Sequence, residues 1–304
     1  MSDILIENWS GLFDGYKPVQ PSSELQDLLE EMLQKMSISD LRDSTLTDLV
    51  DDPSDVASLF TGRSLDPQQH GLCASLLGGG CRIGLPYFYR YRTAGELQED
   101  LPQFLSHLND YLGTQIQASQ LSPKALTALT NSCVLSDQAK RYAMAYQLDQ
   151  ASGRLSPYQV VALSIPILFV VVYQFVRRLK QSTPLGRLPR VGRLVLYAGA
   201  AALYIRLLSV VTVGWLIFQS DAADRAACEL EPVADYRAGG RELYEKAAAR
   251  NRTLRSLAPQ QLEARIDCLG NWTDWWRNGP ITYQHRLDFL RQLELEEEET
   301  KDAS

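Results

Sequence analysis

The residues of this chain whose types could do chemistry are three histidines, five cysteines, a run of glycines, a cluster of tryptophans and one arginine inside an apolar segment. His70, His107 and His285 are scattered, without the i,i+3 or i,i+4 spacing that places two imidazoles on one metal. Cys73, Cys81, Cys133, Cys228 and Cys268 are odd in number and contain no C-x-x-C, so they do not form a zinc module. A Cys73–Cys81 disulfide would need an oxidising compartment, and spacing alone does not support it. Gly78, Gly79 and Gly80 are not followed by the Gly-Lys-Ser/Thr of a phosphate cradle; with Gly84 and Pro86 they fit a tight turn leading into an aromatic strand. The sequence therefore predicts no catalytic residues, no metal and no cofactor. Trp272, Trp275 and Trp276 suit a membrane interface, a protein contact or a folded-back core anchor. Arg206 carries a charge at the centre of an apolar run, where insertion costs roughly 2.5 to 3.5 kcal/mol. It is read as a docking residue facing protein, water or a partner, against an arginine that snorkels or sits in a thinned bilayer.

Arg206 belongs to the second of two long apolar segments, Val160–Val176 and Leu194–Phe218. A bilayer core about 30 Å thick takes roughly 20 helical residues to cross, so the pair reads as a transmembrane hairpin, with spans of about 158–176 and 194–218. Two buried helices of a soluble domain are the alternative, but core helices seldom stay so apolar for so long. The connecting loop, 177–193, holds Arg177, Arg178, Lys180, Arg187, Arg190 and Arg193 and no acid. By the positive-inside rule it faces the cytoplasm, or the matrix in a mitochondrial inner membrane, with both flanking regions on the other side. Pro166 should kink the first span. Ala198, Gly199, Ala200, Ala201 and Ala202 give the second a small-residue face suited to close helix packing. The partner-binding candidates are Arg206, Ala198, Gly199, Ala202, Trp272, Trp275 and Trp276.

The hairpin divides 304 residues into a soluble, mostly helical domain 1–156, the hairpin 157–219, a helical region 220–290 and an acidic tail 291–304 expected to be disordered. A net charge of -7 and a pI near 5.1 argue against nucleic acid, because no basic stripe outside the loop could track phosphates. The first residues, MSDILIENWSGLFDGY, read neither as a secretory signal nor as an arginine-rich presequence. Helices are predicted over Pro21–Met36, with Ser23 and Gln26 as a capping box, over Ala94–Tyr111, over Ser122–Leu129 behind the Ser122 cap and Pro123, and over Ser136–Gln150. A further helix, Ala234–Ala258, should break at Gly239 and Gly240, and helix continues over Gln260–Leu269. Ser37–Pro67 reads as acidic short helical turns and loop, and a small sheet is placed near Arg82–Tyr91. Asn251-Arg-Thr253 and Asn271-Trp-Thr273 are glycosylation sequons.

LSDQAKRYAMAYQLDQ before the hairpin, ADYRAGGRELYEKAAARNRTLRSL after it, the SSELQDLLEEMLQ helix and the GLPYF turn together resemble the transmembrane protein 177 family. The likeness covers roughly Pro21–Leu257 and is densest over Leu135–Leu257. It implies a multi-pass mitochondrial inner-membrane protein of cytochrome c oxidase biogenesis, associating with newly made subunit 2 and its chaperone. The basic segment and additional apolar span with which family members begin are not in this sequence. A fainter likeness is to integral-membrane zinc metallopeptidases; laid on that pattern, Tyr146, Gln147, Gln150 and Val233 stand where ligands and a catalytic glutamate are required, which makes this a degenerate scaffold. The expected fold is a mainly α membrane protein with a small sheet. The expected function is that of a non-enzymatic assembly factor, against the alternatives of a membrane hydrolase or a small channel or transporter subunit.

Overall fold

The computed structural model describes residues 21–35, 57–62, 64–70, 81–151, 165–167, 169–171, 173–174, 177–178, 190–273 and 281–302. The Gly78–Gly80 run, Cys73, most of the acidic stretch after Lys35, the first residues of the first apolar segment, positions 179–189 of the basic stretch between the two segments, and Trp275 and Trp276 lie outside them. The chain forms two compact units, 1–154 with 220–304 and 155–219. The regions before and after the membrane segment thus fold into one body rather than two.

The body is mainly α-helical. Helix α1 (Ser23–Lys35) buries Leu25, Leu29, Met32 and Leu33, the i, i+4, i+7 stripe of an amphipathic helix. Its first amides, of Leu25 and Gln26, bond the Ser22 carbonyl, so the helix starts one residue before the predicted capping box. Strands β1 (Ala57–Gly62), β2 (Gln68–His70) and β3 (Cys81–Pro86) form a sheet of order β1-β3-β2. β1 runs parallel to β3, with Leu59 opposite Ile83 and Thr61 opposite Leu85, and β2 is antiparallel to it. Ile83 and Leu85, two apart, are fully buried. The predicted helix over Ala94–Tyr111 is two, α2 (Ala94–Glu99) and α3 (Leu101–Leu112), broken where Pro102 cannot continue the hydrogen-bond ladder. Helix α4 (Pro123–Cys133) opens as expected, the Ser122 hydroxyl accepting from the Ala125 amide and Pro123 taking the first turn.

Helices α5 (Asp137–Ala151) and α7 (Val233–Leu257) are the centre of the body, and the glycines expected to break α7 instead make its closest contact. A Cβ on Gly239 would lie 2.5 Å from the Gln138 carbonyl oxygen, and one on Gly240 2.7 Å from the Tyr142 ring. The helix survives its glycines because each lets the α5 backbone or ring approach, and that packing outweighs a propensity loss of about 1 kcal/mol per glycine. Polar side chains fix the register: the Ser136 amide donates to Glu242, Lys246 donates to the Val134 carbonyl at 2.6 Å, and Gln138 donates to Asp235.

Where helix was expected over Gln260–Leu269, the structure has the short turn α8 (Pro259–Leu262), after which Ile266 pairs with Trp272 across a loop. Gly270 turns that loop at φ +92°, with Ala248 O 2.2 Å from where its Cβ would sit. Helix α9 (Tyr283–Asp302) continues through the acidic run read as a disordered tail. Leu287, Leu290 and Leu293 are buried at helical spacing, and Glu294 and Glu296 pair with Arg241 and Arg225. Charge composition alone missed this apolar stripe.

In the other unit, the described residues between 165 and 178 are helical, Pro166 included, and exposed, as Ile167 (66 %) and Phe169 (71 %) show. Helix α6 (Arg190–Cys228) contains the second apolar run entire. Its stretch Tyr197–Cys228, 32 residues, is the one helix among the described residues long and apolar enough to cross a membrane.

Gly239→Ala should destabilise the body by about 1–3 kcal/mol, because the new methyl meets backbone that cannot swing away. Gly95→Ala, whose methyl would meet only the Thr93 hydroxyl at 3.8 Å, should cost nothing or add up to about 1 kcal/mol. Urea unfolding of both variants in the same detergent measures the contrast.

Candidate functional site

Asp224 is a fully buried charge of the body. It lies near the C-terminal end of α6, beyond the apolar run, where its side chain is fully buried alongside Ala223, Ala227 and Cys228. Tyr142 of α5 donates to its Oδ1 at 2.7 Å and Tyr244 of α7 at 2.6 Å. The Arg286 guanidinium of α9 lies 3.7 Å from the same oxygen, too long for a strong hydrogen bond but close enough to compensate the charge. Arg286 also donates to the hydroxyls of Tyr244 at 2.6 Å and Tyr146 at 2.7 Å, with its guanidinium carbon 5.0 Å from the Tyr244 ring centroid and 4.6 Å from that of Tyr146. Tyr146 accepts from Gln150 and shares a bond with Ser220. Side chains from α5, α6, α7 and α9 thus converge on one carboxylate.

Burial pushes the Asp224 carboxyl above its ordinary range, against the lowering pull of Arg286 and the two phenol donors. The same burial holds the Tyr142 and Tyr244 phenols far above theirs. The carboxylate is fully buried, its partners all meet Oδ1, and Oδ2 has no hydrogen-bond partner among the described residues, so the group acts through Oδ1 as a clamp.

A second clamp centres on Asp66. The Arg250 side chain, 4 % exposed, donates to Asp66 Oδ1 and to the Leu65 carbonyl, while Trp272 and Tyr283 donate to Asp66 Oδ2 at 3.1 and 2.7 Å. The β1–β2 connection, α7, the loop before α9 and α9 itself are tied there. Asn251 and Asn271, the sequon asparagines, are buried beside it and bonded to the Gly270 carbonyl and to Asp267. Neither amide is accessible to modification in the fold.

The residues that sequence reading picked out fall into three places. Trp272 is half-buried and bonded to Asp66, with Arg265 over its ring, so it anchors the body; Trp275 and Trp276 are outside the described residues. Ala198, Gly199, Ala202 and Arg206 are exposed on α6, at spacings of three and four that put them on one face. Of the positions read against the metallopeptidase pattern, Tyr146 and Gln150 serve the Asp224 clamp, Gln147 donates to the Pro67 carbonyl, and Val233 begins α7. His107 packs on the Tyr87 ring and His285 bonds Asp221, while His70 ends β2. Among the described residues no three His, Cys, Asp or Glu side chains are placed to hold a metal. Cys133 and Cys228 are free and buried, and burial pushes both thiols up to about 12, away from nucleophilic use.

The Asp224 clamp was not foreseen. The available signal was Arg286, which falls in phase with the apolar Tyr283, Leu287, Leu290 and Leu293 and so had to point inward.

Arg286→Leu should cost about 3–5 kcal/mol, since it leaves a carboxylate buried without its cation, and adding Asp224→Asn should recover part of the loss. A raised folded value means that the folded chain holds the Asp224 proton more tightly than the unfolded chain. The stability this contributes is complete below the unfolded value of about 3.9 and is lost as pH rises through the folded value. The urea midpoint of Asp224→Asn should therefore gain on that of the parent as pH is raised from about 4.

The sequence profile of the family described as Transmembrane protein 177 matches residues 63–304. The chain is similar to Transmembrane protein 177 of Xenopus laevis, 27 % identical over 297 residues, covering 94 % of this chain and 86 % of that one. It is likewise similar to Transmembrane protein 177 of Danio rerio, 28 % identical over 260 residues, covering 84 % and 74 %. No solved structure matches.

Proposed function

The chain belongs to the transmembrane protein 177 family, and on that premise we propose that it is a non-enzymatic assembly factor of the mitochondrial inner membrane. In this reading it binds newly made cytochrome c oxidase subunit 2, its assembly chaperone, or both, during biogenesis of the oxidase. The two apolar segments form a hairpin, the basic loop 177–193 lies in the matrix and the soluble body lies in the intermembrane space.

The observation that carries the proposal is the exposed apolar helix α6 with Arg206 on a face of Ala198, Gly199 and Ala202. An exposed apolar helix is explained by lipid, but a central arginine on it is not, and small neighbours allow another helix to come close. The body favours a scaffold over an enzyme. Its buried acid is enclosed by three helices and a guanidinium, and its buried thiols are held protonated. The clamp holds elements together and leaves the membrane helix as the surface on offer.

Newly synthesised mitochondrial proteins, radiolabelled and gently solubilised, should yield labelled oxidase subunit 2 when this chain is isolated through a C-terminal tag. The label should disappear from the eluate when the chaperone is absent. An eluate free of labelled product, from protein shown to be mitochondrial, would overturn the assembly role.

A further inference from the structure

We propose that Arg206 docks a partner's transmembrane helix by pairing with a carboxylate near the middle of that helix. The inference rests on reading the chain as a membrane-embedded binding protein and adds the chemistry of what is bound. The unit Leu155–Gln219 contains seven basic residues, Arg177, Arg178, Lys180, Arg187, Arg190, Arg193 and Arg206, and not one aspartate or glutamate. Six lie in or beside the connecting loop, and Arg206 alone lies inside an apolar run. No residue of that unit can neutralise it. It makes no hydrogen bond or ion pair with any described residue.

Position decides between the sources of a counter-charge. Arg206 is the central residue of Leu194–Phe218, so either end of the run is about 18 Å away along the helix. Lipid phosphates lie beyond those ends, outside easy reach of one side chain, whereas arginines that snorkel sit near helix ends. A carboxylate on a neighbouring helix meets the guanidinium at its own depth and offers two oxygens to its fork of donors. A second copy of this chain brings only another arginine to the same depth, and like charges repel.

The face around Arg206 is shaped for such a neighbour. Ala198, Gly199 and Ala202 precede it by eight, seven and four residues, and Ser209 follows by three with its hydroxyl bonded to the Ile205 carbonyl. A Cβ on Gly199 would meet nothing within 4 Å, so the space over the strip is open. Small side chains let a second backbone approach closely, which brings a short aspartate or glutamate within range of the guanidinium.

The test uses the full chain in phosphatidylcholine vesicles and a fluorescent leucine-rich transmembrane peptide carrying one central aspartate. Peptides with asparagine or leucine at that position are the controls, and energy transfer to labelled protein reports association. The aspartate peptide should bind at least tenfold more tightly than the leucine peptide. Arg206→Leu should erase that difference and Arg206→Lys should retain part of it. Equal binding of the aspartate and leucine peptides, or a preference that survives Arg206→Leu, overturns the proposal. So does loss of the preference on adding anionic lipid, which would make phosphate the counter-ion. An unchanged urea midpoint for Arg206→Leu shows that the soluble body is intact. The assay contains no mitochondrial protein, so its outcome is independent of the oxidase-subunit experiment.

Discussion

A carboxylate taken out of water must be given hydrogen bonds and a cation, and in this protein that requirement falls on Asp224. The demand is met at one oxygen, Oδ1, by two phenols and a guanidinium from three other helices, while Oδ2 is buried without a hydrogen-bond partner among the described residues. Each donor is itself held: Tyr142 against Gly240 of α7, Tyr244 and Tyr146 by Arg286, and Arg286 by the buried leucines that seat α9. The charge is costly on its own, and its cost ties the last helix of the chain to the segment before the membrane and to the end of α6. Replacing the group by hydrophobic residues of matching volume is often neutral or stabilising in other proteins, so its contribution here is to specify which elements meet.

Asp66 repeats the arrangement with Arg250, Trp272 and Tyr283. Both clamps draw on α9, through Tyr283 and Arg286, one turn apart. Helix α9 is therefore held at two acids that lie far from it in sequence, while its acidic end beyond Leu293 stays on the surface with Arg225 and Arg241 as partners.

The membrane helix presents the opposite condition. Inside the body the buried carboxylate of Asp224 and the buried guanidinium of Arg250 each meet an opposite charge from the same body, whereas Arg206 on α6 has no acid anywhere in its own unit to answer it. Under the proposed function, this difference separates the part of the protein that keeps its shape from the part that meets another molecule.

Features that depend on neighbouring residues were legible in the sequence. The apolar length of Leu194–Phe218, the Ser122–Pro123 helix start and the leucine stripe of α1 all follow from local composition and period, and the structure has each of them, whereas the turn expected at Gly84 and Pro86 is strand β3 and the aromatic strand expected over Tyr87–Tyr91 begins as a 3-10 turn, Tyr87–Arg90. Arg206 and its small-residue face were legible for the same reason, since one charge in an apolar run is conspicuous. Tertiary structure alone decided that Gly239 and Gly240 would close a helix contact instead of ending a helix, and that the acidic tail would fold as α9. It alone brought Tyr146 to Arg286, 140 residues away, and both to Asp224. Propensity and charge act within a few residues, whereas a buried acid selects its donors from whatever the packed helices bring within 3 Å, and no local pattern carries that choice.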